Sequence, residues 1–263
     1  MPKLFYMNYF EAILLGLIQG LTEILPVSSS GHLVLSEHLL NVKVPGVLFE
    51  LMVHFGTLMS VLIYFRKRII SLIKSLFVSE MQDDRRMVFY LIIGTIPAVI
   101  AVVFFKDFFE QAFSSPVMTS VMLLATGLIL ISTSFVKIGN HNVGLFRAVI
   151  IGIGQALAIL PGISRSGTTI SAGLFAGVKP LAAAEYSFIM VIPAIIGAVV
   201  FKFSDLVSLN TDMLGQYLIA TLVAFLSGLL AVYVILEFIR KGKFKYFGFY
   251  CLIIGAFGLI YFS

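Results

Sequence analysis

The 263-residue chain has no tryptophan, a single cysteine and few charged residues, and each shortage excludes something. One cysteine, Cys251, rules out a disulfide framework and a thiolate metal site. Without tryptophan, any aromatic belt at a membrane interface must use Tyr and Phe. Charged residues make up 12% of the chain, about half the share of a soluble domain. Because hydrophobic residues reach 60% and the mean hydropathy is +1.07, the composition predicts an integral membrane protein and excludes intrinsic disorder, collagen and coiled coil.

Six apolar windows are predicted to cross about 30 Å of hydrocarbon, which needs about 20 residues, although Tyr246–Phe262 is slightly short. Four of them carry no charge, one contains Glu50 and His54, and one contains Glu185. The predicted crossings are Gly46–Phe65, Met87–Phe105, Val117–Val136, Pro180–Phe201, Met213–Leu236 and Tyr246–Phe262.

Two further apolar stretches are interrupted by polar and helix-breaking residues. One runs from Phe10 to about Leu40 and is broken at Pro26, and the other runs from Leu145 to about Val178 and is broken at Pro161. Lipid cannot satisfy the backbone groups that such breaks free, so the broken backbone must be buried in protein or line a wet cavity. We therefore predict two re-entrant helix–loop–helix hairpins beside the six transmembrane helices.

The distribution of basic residues predicts the orientation of this arrangement. Arg165 lies in the second hairpin, and the other cations divide thirteen to four between the two sides. The larger set is Arg66, Lys67, Arg68, Lys74, Arg85, Arg86, Lys137, Arg147, Lys179, Arg240, Lys241, Lys243 and Lys245, and the smaller is Lys3, Lys43, Lys106 and Lys202. Because cytoplasmic loops carry the excess of Lys and Arg, both termini are expected outside. The first hairpin then enters from outside and the second from the cytoplasm.

The two broken segments resemble each other at a constant offset of 136 residues. The coinciding pairs are Gln19/Gln155, Leu21/Leu157, Ser28/Ser164, Ser30/Ser166 and Gly31/Gly167. Each hairpin is followed by three crossings, and an odd number inverts the second half relative to the first. The prediction is an all-α integral membrane fold with an inverted-topology repeat. Its single domain, residues 1–263, divides into halves 1–138 and 139–263, with hairpins at about 10–40 and 145–178.

Ionisable residues at membrane depth are functional candidates, and Glu23, His32 and Arg165 all lie in the hairpins. If the tips meet, they share one cavity rich in hydroxyls and glycines. The guanidinium of Arg165 matches phosphate oxygens, and Ser/Gly-rich turns before a helix offer N–H donors to an anion. The residues predicted to bind phosphate are Ser28, Ser30, Gly31, Ser164, Ser166, Gly167, Thr168 and Thr169, with Ser29 placed opposite Arg165 by the offset.

A divalent cation is also predicted at the first hairpin. Gln19 and Glu23 are four residues apart and so lie on one helix face. Their oxygens could hold Mg²⁺ or Ca²⁺, with substrate phosphates completing the coordination shell. The four histidines have no local zinc spacing, so zinc is not expected.

These residues also resemble the motifs of a known family. Gln19-Gly-Leu-Thr-Glu23 matches the [E/Q]-x-x-x-E motif of bacterial undecaprenyl pyrophosphate phosphatases of the bacitracin-resistance type. Pro161-Gly-Ile-Ser-Arg-Ser-Gly-Thr-Thr169 is similar to that family's PGxSRSxxT motif, and Leu25 to His32 resembles its segment ending in an essential histidine. The resemblance extends over essentially the whole chain, with Gln rather than Glu at the first motif position.

The resemblance implies hydrolysis of a C55 isoprenoid pyrophosphate to its monophosphate at the outer face of the bacterial cytoplasmic membrane. That reaction recycles the lipid carrier for cell-wall synthesis and gives bacitracin resistance. The expected partners are this lipid substrate and membrane lipid, with a homodimer left open and no nucleic acid. A transporter or lipid-phosphate flippase without hydrolytic activity is the alternative, since inverted repeats suit alternating access.

Roles for the individual residues follow from this implied reaction. Arg165 would clamp the pyrophosphate, and Glu23 would bind the metal or deprotonate its partner. His32 would act as nucleophile or general acid/base, Ser29 is the rival nucleophile, and metal-activated water is a third route. Glu50 and His54, four residues apart in one span, would either line the cavity or pair with each other.

Overall fold

The structure, a computed structural model, describes residues 7–40, 47–113, 115–201 and 213–263, and these are almost entirely helical. Strand pairing within these ranges is limited to one isolated parallel bridge, between His141 and Val178. Twelve α-helices and one 3-10 turn are described: α1 (Tyr9–Ile24), α2 (Ser29–Leu40), α3 (Val47–Tyr64), α4 (Arg66–Ser75), α5 (Gln82–Phe113), α6 (Pro116–Ser132), the 3-10 turn (Thr133–Phe135), α7 (Leu145–Leu157), α8 (Arg165–Phe175), α9 (Pro180–Ile189), α10 (Val191–Phe201), α11 (Leu214–Arg240) and α12 (Lys245–Phe262). The predicted all-α membrane class is confirmed.

Five helical segments of the described chain are long and apolar enough to cross a membrane. They are Gln82–Phe105, Pro116–Phe135, Pro180–Gly197, Leu214–Arg240 and Lys245–Phe262, and they match five of the predicted crossings within a few residues. The sixth prediction corresponds to α3, which meets the same criterion only together with α4, after a bend of 79°. Three basic residues, Arg66 to Arg68, begin α4 and favour the interface over the hydrocarbon.

The orientation and the inverted relation of the two halves stay predictions. Gly46, Lys3, Lys43 and Lys202 lie outside the described residues. Three of the four cations assigned to the outer side are therefore among the residues that the structure does not describe.

Both broken segments form two short helices separated by a break. The break lies between Ile24 and Ser29 in the first hairpin and between Leu157 and Arg165 in the second. The four helices have 16, 12, 13 and 11 residues. At 1.5 Å per residue they are about 17 to 24 Å long, short of the roughly 30 Å hydrocarbon core. The helix–break–helix pattern is confirmed, and these lengths suit re-entrant segments.

The two breaks share a local hydrogen-bond pattern at the predicted offset. The Gly31 amide donates to Ser28 Oγ at 3.2 Å, and the Gly167 amide donates to Ser164 Oγ at 3.0 Å. In each turn a serine hydroxyl accepts one of the free N–H groups at a helix start. The sequence similarity of the tips therefore corresponds to the same hydrogen-bonded turn in both hairpins.

The first helix of each hairpin packs closely against a long helix of the other predicted half. A Cβ on Gly16 of α1 would lie 2.4 Å from the Ala220 carbonyl oxygen of α11. A Cβ on Gly152 of α7 would lie 2.3 Å from the Gly94 carbonyl oxygen of α5. Gly16 and Gly152 are separated by the same 136 residues as the tips. Small residues at these crossings bring the backbones together, as in other membrane helix pairs.

Helix α9, which borders the site, is fixed to α4 and α5 by polar contacts. Arg68 Nε donates to Glu185 at 2.7 Å, and Arg68 Nη1 donates to Asp84 at 2.5 Å. The Tyr186 hydroxyl donates to the Tyr90 carbonyl at 2.5 Å. These contacts hold the backbone of α9 in place next to the second hairpin.

Candidate active site

The tips of the two hairpins are in contact. Ser166 Oγ donates to the Leu25 carbonyl at 3.3 Å, across the two breaks. A Cβ on Gly31 would lie only 3.0 Å from Gly162 Cα, so the missing side chain permits this approach. The sequence predicted a shared site only if the two tips meet, and the structure shows that they do.

A buried ion pair between Glu23 and Arg165 joins the hairpins at this contact. Arg165 Nη2 donates to Glu23 Oε1 at 2.8 Å, and their side chains are only 16% and 10% exposed. A buried pair needs further hydrogen bonds to offset desolvation. Arg165 Nη1 donates to the Ser187 carbonyl at 3.1 Å, and Glu23 Oε2 accepts from Ser29 and Gln19. The charges are therefore well satisfied and held in one geometry.

Ser29 is the hydroxyl closest to the carboxylate. Its Oγ donates to Glu23 Oε2 at 2.5 Å, within the reach required of a nucleophile and its base. The preceding residue, Ser28, has φ +70°, the one positive φ among non-glycine residues in the described chain. Such backbone conformations are costly and concentrate at functional sites. Here the turn at Ser28 starts α2 with Ser29 facing Glu23.

The ion pair and Ser29 line a cavity of about 230 Å³, which we call the Glu23 cavity. Its polar wall consists of residues from both tips together with one residue of α3, and its apolar wall comes chiefly from α5, α10 and the second break. The lining residues are Thr22, Glu23, Ser28, Ser29, Ser30, His54, Phe113, Ala158, Ile159, Ile163, Ser164, Arg165, Val191, Ala194 and Ile195. Hydroxyls, a carboxylate and a guanidinium in one apolar recess suit the phosphate headgroup of a lipid.

His54 is the imidazole of this cavity. Its Nε2 lies 3.6 Å from Glu23 Oε2, and its Nδ1 is 2.7 Å from the Glu50 carbonyl oxygen, to which it donates. The sequence left two alternatives for His54, namely that it lines the cavity or that it pairs with the Glu50 side chain. The structure places it in the cavity lining, with its ring oriented by the Glu50 backbone.

His32, the histidine favoured by the sequence, does not line the Glu23 cavity. Its Nδ1 donates to the Ser28 carbonyl at 2.8 Å, and its Nε2 accepts from the Tyr250 hydroxyl at 2.9 Å. The two rings stack at 5.6 Å between centroids. These contacts connect His32 to the turn that positions Ser29, while its catalytic role stays a prediction.

The remaining predicted substrate-binding residues lie behind the cavity wall rather than on it. These are Gly31, Ser166, Gly167, Thr168 and Thr169, whereas Ser28, Ser30 and Ser164 line the cavity. The Thr168 hydroxyl donates to the Ser164 carbonyl at 2.7 Å, and Thr169 Oγ1 contacts Ser187 Oγ at 2.6 Å. They brace the second tip and the segment of α9 that holds Arg165. Whether any of them touches substrate stays a prediction.

The donor atoms at Gln19 and Glu23 show what kind of metal site these residues could form. Gln19 is fully buried, and its Oε1 has no hydrogen-bond partner in the structure. The described residues contain no cluster of three or more His, Cys, Asp or Glu side chains that could hold a metal. Glu23 is thus the one carboxylate at this place, and the donor set fits a cation that takes most of its ligands from the substrate.

Comparison with known proteins identifies the family of this chain. The family described as "Bacitracin resistance protein BacA" matches residues 12–257. An undecaprenyl-diphosphatase of Salinibacter ruber is 39% identical over 96% of this chain and 99% of its own length. An undecaprenyl-diphosphatase of Carboxydothermus hydrogenoformans is 42% identical over 95% of this chain and 96% of its own. An undecaprenyl-diphosphatase of Syntrophotalea carbinolica is 40% identical over 95% of this chain and 97% of its own length.

These matches include both hairpins and the helices that support them. With its two polar tips joined by the Glu23–Arg165 pair, the chain belongs to the BacA bacitracin-resistance family.

Proposed function

We propose that this protein hydrolyses undecaprenyl pyrophosphate to undecaprenyl phosphate and inorganic phosphate. The observation that carries the proposal is the contact of Ser29, Glu23 and Arg165 in one cavity formed by both hairpin tips. Full-length relatives named undecaprenyl-diphosphatase support it. A cavity of about 230 Å³ accommodates a pyrophosphate but not a C55 tail, so the tail stays in the lipid.

Arg165 is the group that receives the substrate charge. Its guanidinium can give two parallel hydrogen bonds to phosphate oxygens, and in the apolar recess they are stronger than in water. When the pyrophosphate recruits Arg165, the Glu23 carboxylate loses part of its counter-charge. Its Oε2 remains 2.5 Å from Ser29 Oγ, in position to accept the hydroxyl proton.

The geometry favours Ser29 as the nucleophile among the three routes left open by the sequence. Glu23 takes the hydroxyl proton while Ser29 Oγ bonds to the terminal phosphorus. The bond from that phosphorus to the bridging oxygen breaks, and undecaprenyl phosphate leaves with the proton that Glu23 took from Ser29. Water then attacks the phosphoserine and gives a proton to the free Glu23 carboxylate, which passes it to Ser29 Oγ as the bond from Oγ to phosphorus breaks and inorganic phosphate is released. His54, 3.6 Å from Glu23, stabilises the charge of the transferred group when protonated.

A divalent cation belongs to this proposal as part of the bound substrate. When bound, Mg²⁺ or Ca²⁺ would neutralise pyrophosphate charge and polarise the phosphoryl group. Glu23 would be its protein ligand, with the unpaired Oε1 of Gln19 one helical turn away.

The proposal also includes the location and orientation of the protein in the membrane. We place the protein in the bacterial cytoplasmic membrane with the Glu23 cavity open to the outside, because thirteen of the cations fall on the opposite side in the predicted topology. A homodimer stays a prediction of the sequence.

Phosphate release from C55 pyrophosphate by the purified protein in detergent tests the proposal. Wild-type protein should release one phosphate per substrate, and Glu23→Ala should not. Glu80→Gln, which removes a carboxylate outside the cavity, is the matched control and should behave as wild type. Binding of the substrate by wild-type protein without phosphate release would overturn the proposal and leave the carrier alternative.

A further inference from the structure

A second and larger cavity, of about 690 Å³, lies at the other end of α8. Arg165, the first residue of α8, lines the Glu23 cavity, whereas Ile170 and Leu174 of the same helix line the second one. Nine residues of helix, about 14 Å, separate Arg165 from Leu174. The second cavity is therefore distinct from the reaction site, although one helix connects them.

The second cavity is positively charged. Four cations line it, namely Lys137, Lys179, Arg240 and Lys245, and no carboxylate does. In the described part of the chain, Arg240 approaches one carboxylate, at 3.9 Å, and the three lysines form no ion pair. Lys245 is half-buried, and its Nζ lies 6.0 Å from the centroid of the Tyr246 ring. Grouped charges of one sign around a recess favour binding of an anion.

The walls and mouth of this cavity are apolar. Ile170, Ile239 and Phe244 form its interior surface, and each is almost fully buried. At the mouth, Ile138 is 84% exposed and Leu181 is 42% exposed. A water-soluble anion gains nothing from an apolar rim, whereas the chain of a lipid can lie along exposed side chains such as Ile138 and Leu181. The exposed side chains indicate a mouth that opens at the membrane interface.

All four cations belong to the set that the positive-inside rule assigns to the cytoplasm. We propose that this basic cavity binds the phosphate headgroup of an anionic lipid from the cytoplasmic leaflet, with the lipid chain against Leu174 and Leu181. The occupant is a membrane lipid bearing a phosphate, and the site does not depend on hydrolysis in the Glu23 cavity.

Native mass spectrometry of the whole protein in detergent tests this site. Phosphatidylglycerol would be the anionic probe and phosphatidylcholine the zwitterionic one. Wild-type protein should retain one phosphatidylglycerol about tenfold more tightly than phosphatidylcholine. Lys179→Gln combined with Lys245→Gln should weaken retention by about thirtyfold, since each basic side chain near an anionic headgroup contributes about a factor of five.

The matched control removes the same charge outside the cavity. Lys67→Gln combined with Lys243→Gln changes two lysines that do not line it, and lipid retention should match wild type. Leu174→Trp provides a test without charge change, because the larger side chain fills the space of the lipid chain and should also release the lipid. Equal loss in the control pair would show a general charge effect and overturn the proposal. Displacement of the lipid by equimolar inorganic phosphate would overturn it as well, since it would identify a site for soluble anions.

Discussion

The Ser29 hydroxyl donates to Glu23 at 2.5 Å, so a potential nucleophile and its base are already in contact without substrate. The same carboxylate is held by Arg165 at 2.8 Å, on its other oxygen. One side chain therefore connects the proposed nucleophile with the proposed phosphate-binding group. In the proposed mechanism, the binding of substrate charge and the activation of Ser29 are coupled through Glu23.

Ser29→Ala should reduce phosphate release by at least about a thousandfold, because the attacking oxygen is lost. Ser36→Ala, on the same helix α2 but away from the cavity, is the control and should retain full activity. Acid quench of wild-type turnover followed by peptide mass spectrometry should find phosphoserine at position 29. Near-normal turnover of Ser29→Ala would instead support His32 or metal-activated water.

Arg165→Lys should lose about 10²–10³ in kcat/KM although the charge is kept. An ammonium cannot form the paired contact with phosphate oxygens, nor contact both Glu23 and the Ser187 carbonyl as Arg165 does. Steady-state kinetics on C55 pyrophosphate would measure this. Arg147→Lys, at a guanidinium outside the Glu23 cavity, should keep wild-type kinetics. Equal kcat/KM in Arg165→Lys and wild type would mean that charge alone is sufficient.

His32→Ala and His32→Asn should differ if His32 acts by holding the turn. An Asn amide can still donate to the Ser28 carbonyl, which His32 Nδ1 contacts at 2.8 Å. We expect a large loss of activity in His32→Ala and partial rescue in His32→Asn, with an unchanged pH profile. A nucleophilic or acid/base His32 would make both variants equally inactive, so the pair of substitutions separates the two roles.

The sequence predicted that the polar residues of the two tips come together, because polar groups in apolar segments are costly and therefore informative. Glu23, Ser29 and Arg165 lie in breaks where their chemistry stands out against Leu and Ile. His54 was harder to assign, since its approach to Glu23 depends on how α3 packs beside α1. The sequence could not say which face of α3 is turned toward the hairpins.

The same limit explains His32 and the α3–α4 bend. His32 and Ser29 are three residues apart, and sequence spacing suggested a shared site. The contact with Tyr250, more than 200 residues away, decides where the His32 ring points. The 79° bend after Tyr64 accompanies the contact of Arg68 with Glu185, which is 117 residues away in the sequence.

Gly16→Ala and Gly152→Ala should each destabilise the protein by about 1–3 kcal/mol, because a Cβ would overlap a backbone carbonyl. The overlaps are with Ala220 and Gly94, at 2.4 and 2.3 Å. Thermal unfolding in detergent would detect the loss. Gly197→Ala is the control, since a Cβ there meets no atom within 4 Å and Ala favours the helix. An unchanged melting temperature in both test variants would contradict the close packing of the hairpins on α5 and α11.

Removal of divalent cations should abolish phosphate release, and Mg²⁺ or Ca²⁺ should restore it. Pyrophosphate brings several negative charges, whereas Arg165 supplies one positive charge and His54 a second only when protonated. A bound cation would therefore contribute neutralisation that the described residues of the cavity do not. Full activity in excess chelator would show that the protein's own donors are sufficient.

Gln19→Glu sharpens this test of the cation. The new carboxylate would lie in place of an amide that is 3.3 Å from Glu23 and fully buried. Two adjacent carboxylates repel without a cation and share one when it is bound, so the variant should bind the cation more tightly. Titration of Mg²⁺ against phosphate release should show half-maximal activity at a lower concentration than in wild type. Gln155→Glu, the equivalent change in the second hairpin, should leave the metal titration unchanged, because the Gln155 amide, unlike that of Gln19, has no hydrogen bond to Glu23. A titration curve for Gln19→Glu that coincides with wild type would exclude Gln19 from the neighbourhood of the metal, and the cation would then depend on Glu23 and the substrate alone.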